Sequence, residues 1–230
     1  MKIKGFIKNT FIEYPGKVAA MIFLPNCNFK CSFCFNPELV FDNEKINEIN
    51  EEDVFDFLEI QKKWIDGLVI SGGEPTLQKD LPEFIKKVKK MGLSVRIYTN
   101  GTNPEMLSQL IDDKLIDSIA MDIKAPLNEK YESLTNVKNV LDNIKKSISL
   151  IMKSDLDYEF RTTVVPTFHS EKDIDEIANS IKGADLLVLQ KFLPENALDE
   201  KLRSLKTQSD DEMKKLAEIA GKHVKNVIWR

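Results

Sequence analysis

The sequence predicts an α/β protein in which a parallel sheet is covered by helices. Three observations carry this prediction. Six short runs rich in Val, Ile and Leu recur along the chain, each bounded by turn residues, as strands buried on both faces require. Amphipathic runs at helical spacing alternate with them. No Gly/Ser linker or low-complexity tract interrupts the alternation, and 230 residues suit a single domain spanning 1–230. Strand and helix alternating in this way imply right-handed βαβ units. A partial barrel and a doubly wound sheet both satisfy the pattern, and both place chemistry at the C-terminal ends of the strands.

In chain order the predicted strands are Val18–Leu24, Leu68–Ser71, Ser94–Thr99, Ser118–Ile123, Tyr158–Val165 and Leu186–Gln190. A last run, "VKNVIW", is a further strand or a terminal segment. A helix is expected over Glu51–Trp64, after Asn50 as N-cap and with carboxylates in its first turn. Leu81, Phe84, Ile85, Val88 and Met91 recur at helical spacing. Asn103 before Pro104 reads as N-cap then N1. Val137–Met152 carries Val140, Leu141, Ile144, Ile148 and Ile151 on one face. Ser170 opens the next helix, and Ser209 with Glu212 forms a capping box before Met213–Ala220.

Composition narrows the function. The net charge of −4 argues against a dedicated nucleic-acid binder. The longest apolar run, Val18–Leu24, is far too short to span a bilayer, so no membrane role is expected. The opening "MKIKGFIKNTFIEYPGK" has no signal-peptide core, which points to the cytoplasm, where thiols stay reduced. All 3 cysteines fall in the loop 25–37 after the first core strand, as Cys27, Cys31 and Cys34. In a reducing compartment such a cluster reads as metal ligands or catalysts rather than as a disulfide framework.

The unusual polar residues gather at the strand ends. The first core strand runs into the cysteine loop, the second ends in "SGGEP", the third in "YTNG" and the fourth in "MDIK". The fifth contains Arg161 and the sixth ends at Gln190-Lys191. The C-x3-C-x2-C spacing admits three readings. Packed thiols are disfavoured by the Asn, Lys, Ser and Pro around them. Structural zinc wants four closed ligands, and His169 and His223 are both remote in sequence. Three thiolates hold three corners of a four-iron cluster and leave one iron open to a substrate or cofactor, and this reading is preferred. Gly72 and Gly73 let backbone approach a ligand, and Glu74 can accept from an ammonium group. Asp122 and Lys124 lie two residues apart on one strand face, where charges must be paired or functional. Arg161, mid-strand, calls for an anionic partner: a ligand, Glu74 or Asp122. His169 reads as a solvated loop residue.

With an aromatic residue, Phe33, before its last cysteine, and with "GGEP" at Gly72–Pro75, this loop resembles that of the radical S-adenosylmethionine superfamily. The block "EYPGKVAAMIFLPNCNFKCSFCFNPEL" is similar to the glycyl-radical-enzyme activases, above all the activating proteins of anaerobic ribonucleoside-triphosphate reductase. The resemblance implies a partial (β/α)6 barrel with a [4Fe-4S] cluster on Cys27, Cys31 and Cys34. S-adenosyl-L-methionine would chelate the open iron through its amine and carboxylate. It further implies that Phe33 and Phe35 flank the adenine through main-chain contacts. Gly72, Gly73 and Glu74 would hold the methionyl amine, and Asp122 and Lys124 the cofactor and a monovalent cation near its carboxylate. Thr99 and Asn100 would join these surroundings, Thr99 as a match to a ligand of that cation. Arg161 would meet the methionyl carboxylate, and Gln190, or else Lys191, the ribose or methionyl end. The family often has a polar residue where Phe35 stands, and the pyruvate formate-lyase activase has Asp where Tyr98 stands. No catalytic residue is implied beyond these cluster and cofactor ligands.

The implied partners are a glycyl radical enzyme as protein substrate and an electron donor such as flavodoxin or ferredoxin. The implied reaction is reductive cleavage of S-adenosylmethionine to a 5′-deoxyadenosyl radical, which abstracts a glycine hydrogen under anaerobic conditions. Two enzymatic alternatives are a radical enzyme acting on a small molecule, such as a deazapurine synthase, and a pyruvate formate-lyase activase. A zinc-stabilised interaction domain is the non-catalytic one.

Overall fold

The computed structural model describes residues 1–230. Its strands are β1 (Gly5–Thr10), β2 (Ala19–Leu24), β3 (Gly67–Gly72), β4 (Ser94–Thr99), β5 (Ser118–Asp122), β6 (Asp157–Val164), β7 (Leu187–Lys191) and β8 (Val227–Trp229). They form one sheet in strictly sequential order. β1 pairs antiparallel with β2, and every later pair is parallel. A doubly wound sheet reverses its strand order at a switch point. No reversal occurs here, and β1 and β8 stay unpaired with each other, so the fold is a partial barrel.

The helices are α1 (Pro37–Val40), α2 (Glu51–Gln61), α3 (Leu81–Lys90), α4 (Pro104–Asp112), α5 (Glu129–Thr135), α6 (Leu141–Lys153), α7 (Glu171–Ser180) and α8 (Asp210–Ala220). Their predicted starts follow from capping. Asn50 accepts from the Glu52 amide and Asn103 from the Met106 amide. Ser170 with Asp173 and Ser209 with Glu212 close capping boxes. One expectation is corrected. The run expected to begin at Val137 enters a helix only at Leu141, because Asn136 and Asn139 are left-handed, at φ 56° and 60°. Asn136 instead caps α5, a helix the apolar pattern had not indicated. β1 also lacked a signal, since Lys8 and Asn9 lie exposed on an edge strand that pairs on one side only.

Strand alternation sends two different sets of side chains to the two faces of the sheet. Outward residues such as Ile22, Ile70, Ile97, Ile119, Phe160 and Leu189 join Leu58, Phe84, Leu107, Ile144 and Ile177 of the helices in a core of 49 buried residues. Each fully buried Ile or Phe there contributes about 1.5–3 kcal/mol. The inward set is mixed. Tyr14, Ala19, Met21, Val69, Tyr98 and Ala120 make a small apolar cluster inside the barrel.

Arg96, Glu159, Arg161 and Asp122 also face the interior, so these strands are less uniformly apolar than their Val/Ile/Leu content suggests. At the N-terminal end Arg96 binds Glu159 at 2.8 Å, with both side chains 4% exposed. It also donates to Ser118 Oγ at 2.6 Å. The Arg96 guanidinium lies 5.9 Å from the Tyr14 ring and 5.5 Å from the Tyr98 ring, and the Arg161 guanidinium lies 3.8 Å from the Tyr98 ring. Guanidinium groups thus meet aromatic rings inside the barrel in cation–π contacts, beside the small apolar cluster.

Glu159→Leu is expected to strand Arg96 in a dry site and to lower stability by roughly 3–5 kcal/mol. The double variant Arg96→Met/Glu159→Leu is expected to recover most of that loss. Urea unfolding of the three proteins reads the difference directly.

Candidate active site

The C-terminal strand ends converge on a cavity of about 520 Å³ that contains all three cysteines in its lining. This volume falls within the roughly 300–1,000 Å³ of small-molecule sites. The cysteine loop is held from several sides. The Cys27 amide donates to Val40 O at 3.0 Å, tying the loop to α1. The Lys30 amide donates to Thr135 O at 2.9 Å at the end of α5, and the Asp199 amide to Ser32 O at 2.8 Å. Burial pushes the Cys27 and Cys31 thiols up to about 12 and moves Cys34 in the same direction. Iron must then displace protons on binding. No three Cys, His, Asp or Glu side chains meet at single-ion distance. The three thiols share one cavity, and three cysteines with no histidine beside them in the lining suit a cluster with one open iron better than a closed structural zinc site.

The two glycines of "GGEP" line the cavity and also serve the cysteine loop. Gly72 has φ +124°, and a Cβ there would lie 2.2 Å from Leu24 O. A Cβ on Gly73 would lie 2.1 Å from Asn26 O. The close backbone approach they permit is to the root of the cysteine loop. The Gly73 amide donates to Leu24 O at 2.8 Å and the Glu74 amide to Asn26 O at 2.7 Å.

Glu74 also lines the cavity and is an acceptor within the protein itself. Its carboxylate is fully buried and already accepts from the Thr76 amide (3.1 Å) and hydroxyl (2.5 Å), the Thr99 hydroxyl (2.8 Å) and the Asn100 amide (2.6 Å). It braces the ends of β3 and β4. Thr99 Oγ also accepts from the Gly101 amide at 3.0 Å, and Thr99 lines the cavity. Asn100 Nδ2 donates to Asn28 Oδ1 at 2.8 Å and lies 3.9 Å from Cys27 Sγ, so it secures the loop.

Asp122 is the centre of charge. It accepts from Arg161 Nε at 3.1 Å and from Lys124 Nζ at 3.1 Å. Burial raises its pKa, but Arg161 and then Lys124 outweigh burial and hold the carboxyl below its ordinary value. Of the anions considered for Arg161, the structure brings Asp122 and not Glu74. Tyr98, whose hydroxyl donates to Glu13 Oε2 at 2.6 Å with Glu13 O also in reach at 2.8 Å, lies against the Arg161 guanidinium. Gln190 and Lys191 both line the cavity, and the ammonium of Lys191 pairs with Asp210 and sits 5.2 Å over Trp229. Phe35 is 47% exposed at the mouth. Phe33 is buried and packs on Phe168 and His169.

His169 is not the solvated residue expected from its loop. It is 5% exposed, accepts from the Val165 amide at Nδ1 (2.9 Å), and meets Lys124 O with Nε2 (2.9 Å). Burial lowers its pKa, so a neutral ring props the backbone of Lys124. Sequence reasoning also missed Glu13, which lines the cavity, and the burial of Tyr131 on α5. A glutamate in an N-terminal loop and a tyrosine in an unpredicted helix carry no pattern that assigns them to a site.

Fold and site together define an enzyme that houses its cofactors across the strand ends of an open barrel. The radical SAM superfamily model matches residues 21–181. A Methanocaldococcus jannaschii protein named as a glycyl-radical enzyme activating enzyme is 38% identical over 233 residues, covering 99% of this chain and 95% of its own. The pyruvate formate-lyase-activating enzyme of Clostridium pasteurianum is 27% identical over 89% of this chain and 90% of its own. Among solved structures, Streptococcus suis SuiB bound to its precursor peptide SuiA shares the fold with TM-score 0.68 at 16% identity. That match covers 91% of this chain, which spans about half, 48%, of SuiB. The chain belongs to the radical SAM superfamily and, within it, to the glycyl-radical enzyme activating enzymes. The superfamily works with a [4Fe-4S] cluster and S-adenosylmethionine, and the same fold appears in SuiB with S-adenosylmethionine bound, at TM-score 0.67.

Anaerobic reconstitution is expected to give a brown protein with about four irons per chain. Alanine at Cys27, Cys31 or Cys34 should abolish the cluster and leave the circular dichroism spectrum unchanged, because the 49-residue core lies mainly on the outer face of the sheet. Stoichiometric zinc in a colourless protein is the contrary result.

Asp122→Asn is expected to cost roughly 3 kcal/mol at neutral pH by leaving two buried cations unpaired. The sign with pH follows from the depressed carboxyl. Its contribution is present above the ordinary aspartate value and is lost as pH falls through the lower folded value. Urea midpoints of the two proteins should therefore converge only below about pH 4.

Proposed function

We propose that this chain generates a glycyl radical on a partner protein and that the partner is an anaerobic ribonucleoside-triphosphate reductase. One observation of the structure carries the reading. The cavity reaches the unclosed side of the barrel, where its lining runs from Ile7 on β1 to Phe192-Leu193 after β7. Ile7, Phe35 and Leu193, all in that lining, are 43%, 47% and 51% exposed. An apolar rim suits a protein loop that closes the site and expels water better than it suits a small polar substrate. The block from Tyr14 to Leu39, which resembles the reductase activases, favours the particular partner. The Clostridium pasteurianum relative favours pyruvate formate-lyase as a second reading.

When bound, the cluster and S-adenosylmethionine supply a 5′-deoxyadenosyl radical at the expense of one external electron, with flavodoxin or ferredoxin as suitable donors. The chain's own residues bind, orient and exclude water. Cys27, Cys31 and Cys34 hold the cluster. Lys124 and Arg161, already gathered around Asp122, present positive charge to the methionyl carboxylate, and Asp122 presents negative charge to the amine. Gln190 reaches the ribose or methionyl end, and the main chain around Phe33 and Phe35 flanks the adenine. Gly72, Gly73, Glu74, Thr99 and Asn100, which also line the cavity, fix the loop and complete the cofactor's surroundings. Tyr98 and Arg161 crowd the place proposed for a monovalent cation, so protein-borne charge takes over its part.

The reduced protein alone is expected to cleave S-adenosylmethionine slowly and abortively. With the reductase present, anaerobic mixtures should show a glycyl radical by electron paramagnetic resonance. Deuterium placed at the partner's glycine Cα should appear in 5′-deoxyadenosine. A silent reductase together with cleavage accelerated by a small molecule would favour the small-molecule class instead.

A further inference from the structure

β5 ends at Asp122, and the next two residues leave the ladder one group at a time. The Ile123 amide still donates to Arg161 O at 2.8 Å. The Ile123 carbonyl accepts instead from the Thr162 hydroxyl at 3.0 Å, and the Lys124 carbonyl meets His169 Nε2 at 2.9 Å. Backbone carbonyls that have run out of strand partners are thus held by side chains. The hold matters most at Lys124, whose ammonium pairs with Asp122 at 3.1 Å in the cavity wall.

His169 is itself fixed. Its Nδ1 meets the Val165 amide at 2.9 Å, and its own amide donates to Val165 O at 2.9 Å. An amide only donates and a carbonyl only accepts, so Nδ1 is bare and Nε2 carries the proton. Both nitrogens of a neutral ring are thereby satisfied, and burial, which lowers the ring's pKa, keeps it neutral. The ring also meets Phe33 of the cysteine loop nearly edge-on, with centroids 6.4 Å apart and planes at 81°. The end of β5, the chain just after β6 and the cysteine loop converge on this one imidazole, which is 5% exposed.

We infer that His169 is a positioning residue for S-adenosylmethionine: by holding the Lys124 carbonyl it fixes where the Lys124 ammonium stands, and so sets the affinity for the cofactor. The inference rests on the reading that places Lys124 at the methionyl carboxylate. A lysine stem is flexible, so its ammonium keeps a defined distance to an anion only when the backbone beneath it is fixed. His169 is absent from the cavity lining and acts through the residue it holds.

Two substitutions separate its two side-chain bonds. Asn puts an amide oxygen where Nδ1 stands and keeps the Val165 bond, but is too short to reach Lys124 O. Gln puts an amide N–H where Nε2 stands and keeps the Lys124 bond. Both lose the ring against Phe33. In cluster-loaded, full-length protein of unchanged iron content, His169→Asn is expected to weaken S-adenosylmethionine binding about tenfold by calorimetry, the loss of one hydrogen bond. His169→Gln should recover most of that affinity. A role confined to the local turn gives the opposite order and overturns the inference. Lys124→Met is the companion variant. Weakened binding in Lys124→Met with full affinity in His169→Asn overturns this inference and leaves the reading of Lys124 standing. Unchanged affinity in Lys124→Met overturns both. Should His169→Asn fail to fold, wild-type protein decides. Of its 2 histidines, His223 bonds Asp175 Oδ1 at 2.9 Å, and 15N magnetic resonance of the oxidised, cluster-loaded protein should show His169 neutral with its proton on Nε2. A proton on Nδ1 overturns the inference, because that tautomer cannot donate to Lys124 O.

Discussion

The structure depends on one close contact between two pieces of backbone. At the end of β3, Gly72 and Gly73 lie so near Leu24–Asn26 that a methyl group on either would fall within about van der Waals overlap of main-chain oxygen, at 2.2 and 2.1 Å. Two amide-to-carbonyl bonds close the gap. From there the constraint spreads sideways. Glu74, the next residue, collects donors from Thr76, Thr99 and Asn100, and Asn100 passes the connection to Asn28 inside the loop. Three strand ends and the cysteine loop are thereby one hydrogen-bonded unit. A polar chain of this kind is stable only when each member is satisfied, and for Glu74 four donors answer one buried carboxylate.

Above that unit the interior carries charge that a barrel of this size would ordinarily avoid. Asp122, Lys124 and Arg161 bring two cations to one anion, a local excess of one positive charge within this trio. Isolated, such a group would be expelled by desolvation. Here the Tyr98 ring lies 3.8 Å from the Arg161 guanidinium, and Asp122 supplies bonds to both cations. The excess charge matches a ligand carboxylate, while the pairing keeps the fold intact without it. Site and stability are linked at the same residue.

Much of the fold was legible because periodicity is enforced by burial. Strands of the barrel between Ala19 and Lys191 pack on both faces, so their apolar runs stand out, and the capping residues Asn50, Asn103, Ser170 and Ser209 mark helix starts through their own hydrogen-bonding chemistry. Where a single side chain breaks the pattern the sequence is silent. Asn136 and Asn139 adopt left-handed conformations that no periodicity announces, and β1 is an edge strand with exposed polar positions. The site divides the same way. The cysteines and the Asp–x–Lys pair are recognisable by spacing. The partners of Glu74 and the buried placement of His169 depend on residues tens of positions apart, and only the three-dimensional register brings them together.

Leaving the barrel open has a cost of its own, since unpaired edges invite association with other strands. Both edges are managed. β8 has only three residues, and β1 presents Lys8 and twists at a register shift between Ile7 and Thr10. Just before β1, Ile3 bridges to Ile49, which covers the start of that edge with the chain's own backbone. Of β1 only the stretch near Ile7 adjoins the cavity, and there the exposed surface is apolar. An opening guarded against indiscriminate pairing at its ends, yet apolar where it meets the thiols, admits a partner by shape and surface chemistry rather than by strand exchange. The geometry of closure is thus left to the partner, while the chain itself fixes only the positions of the cysteines and the charges around Asp122.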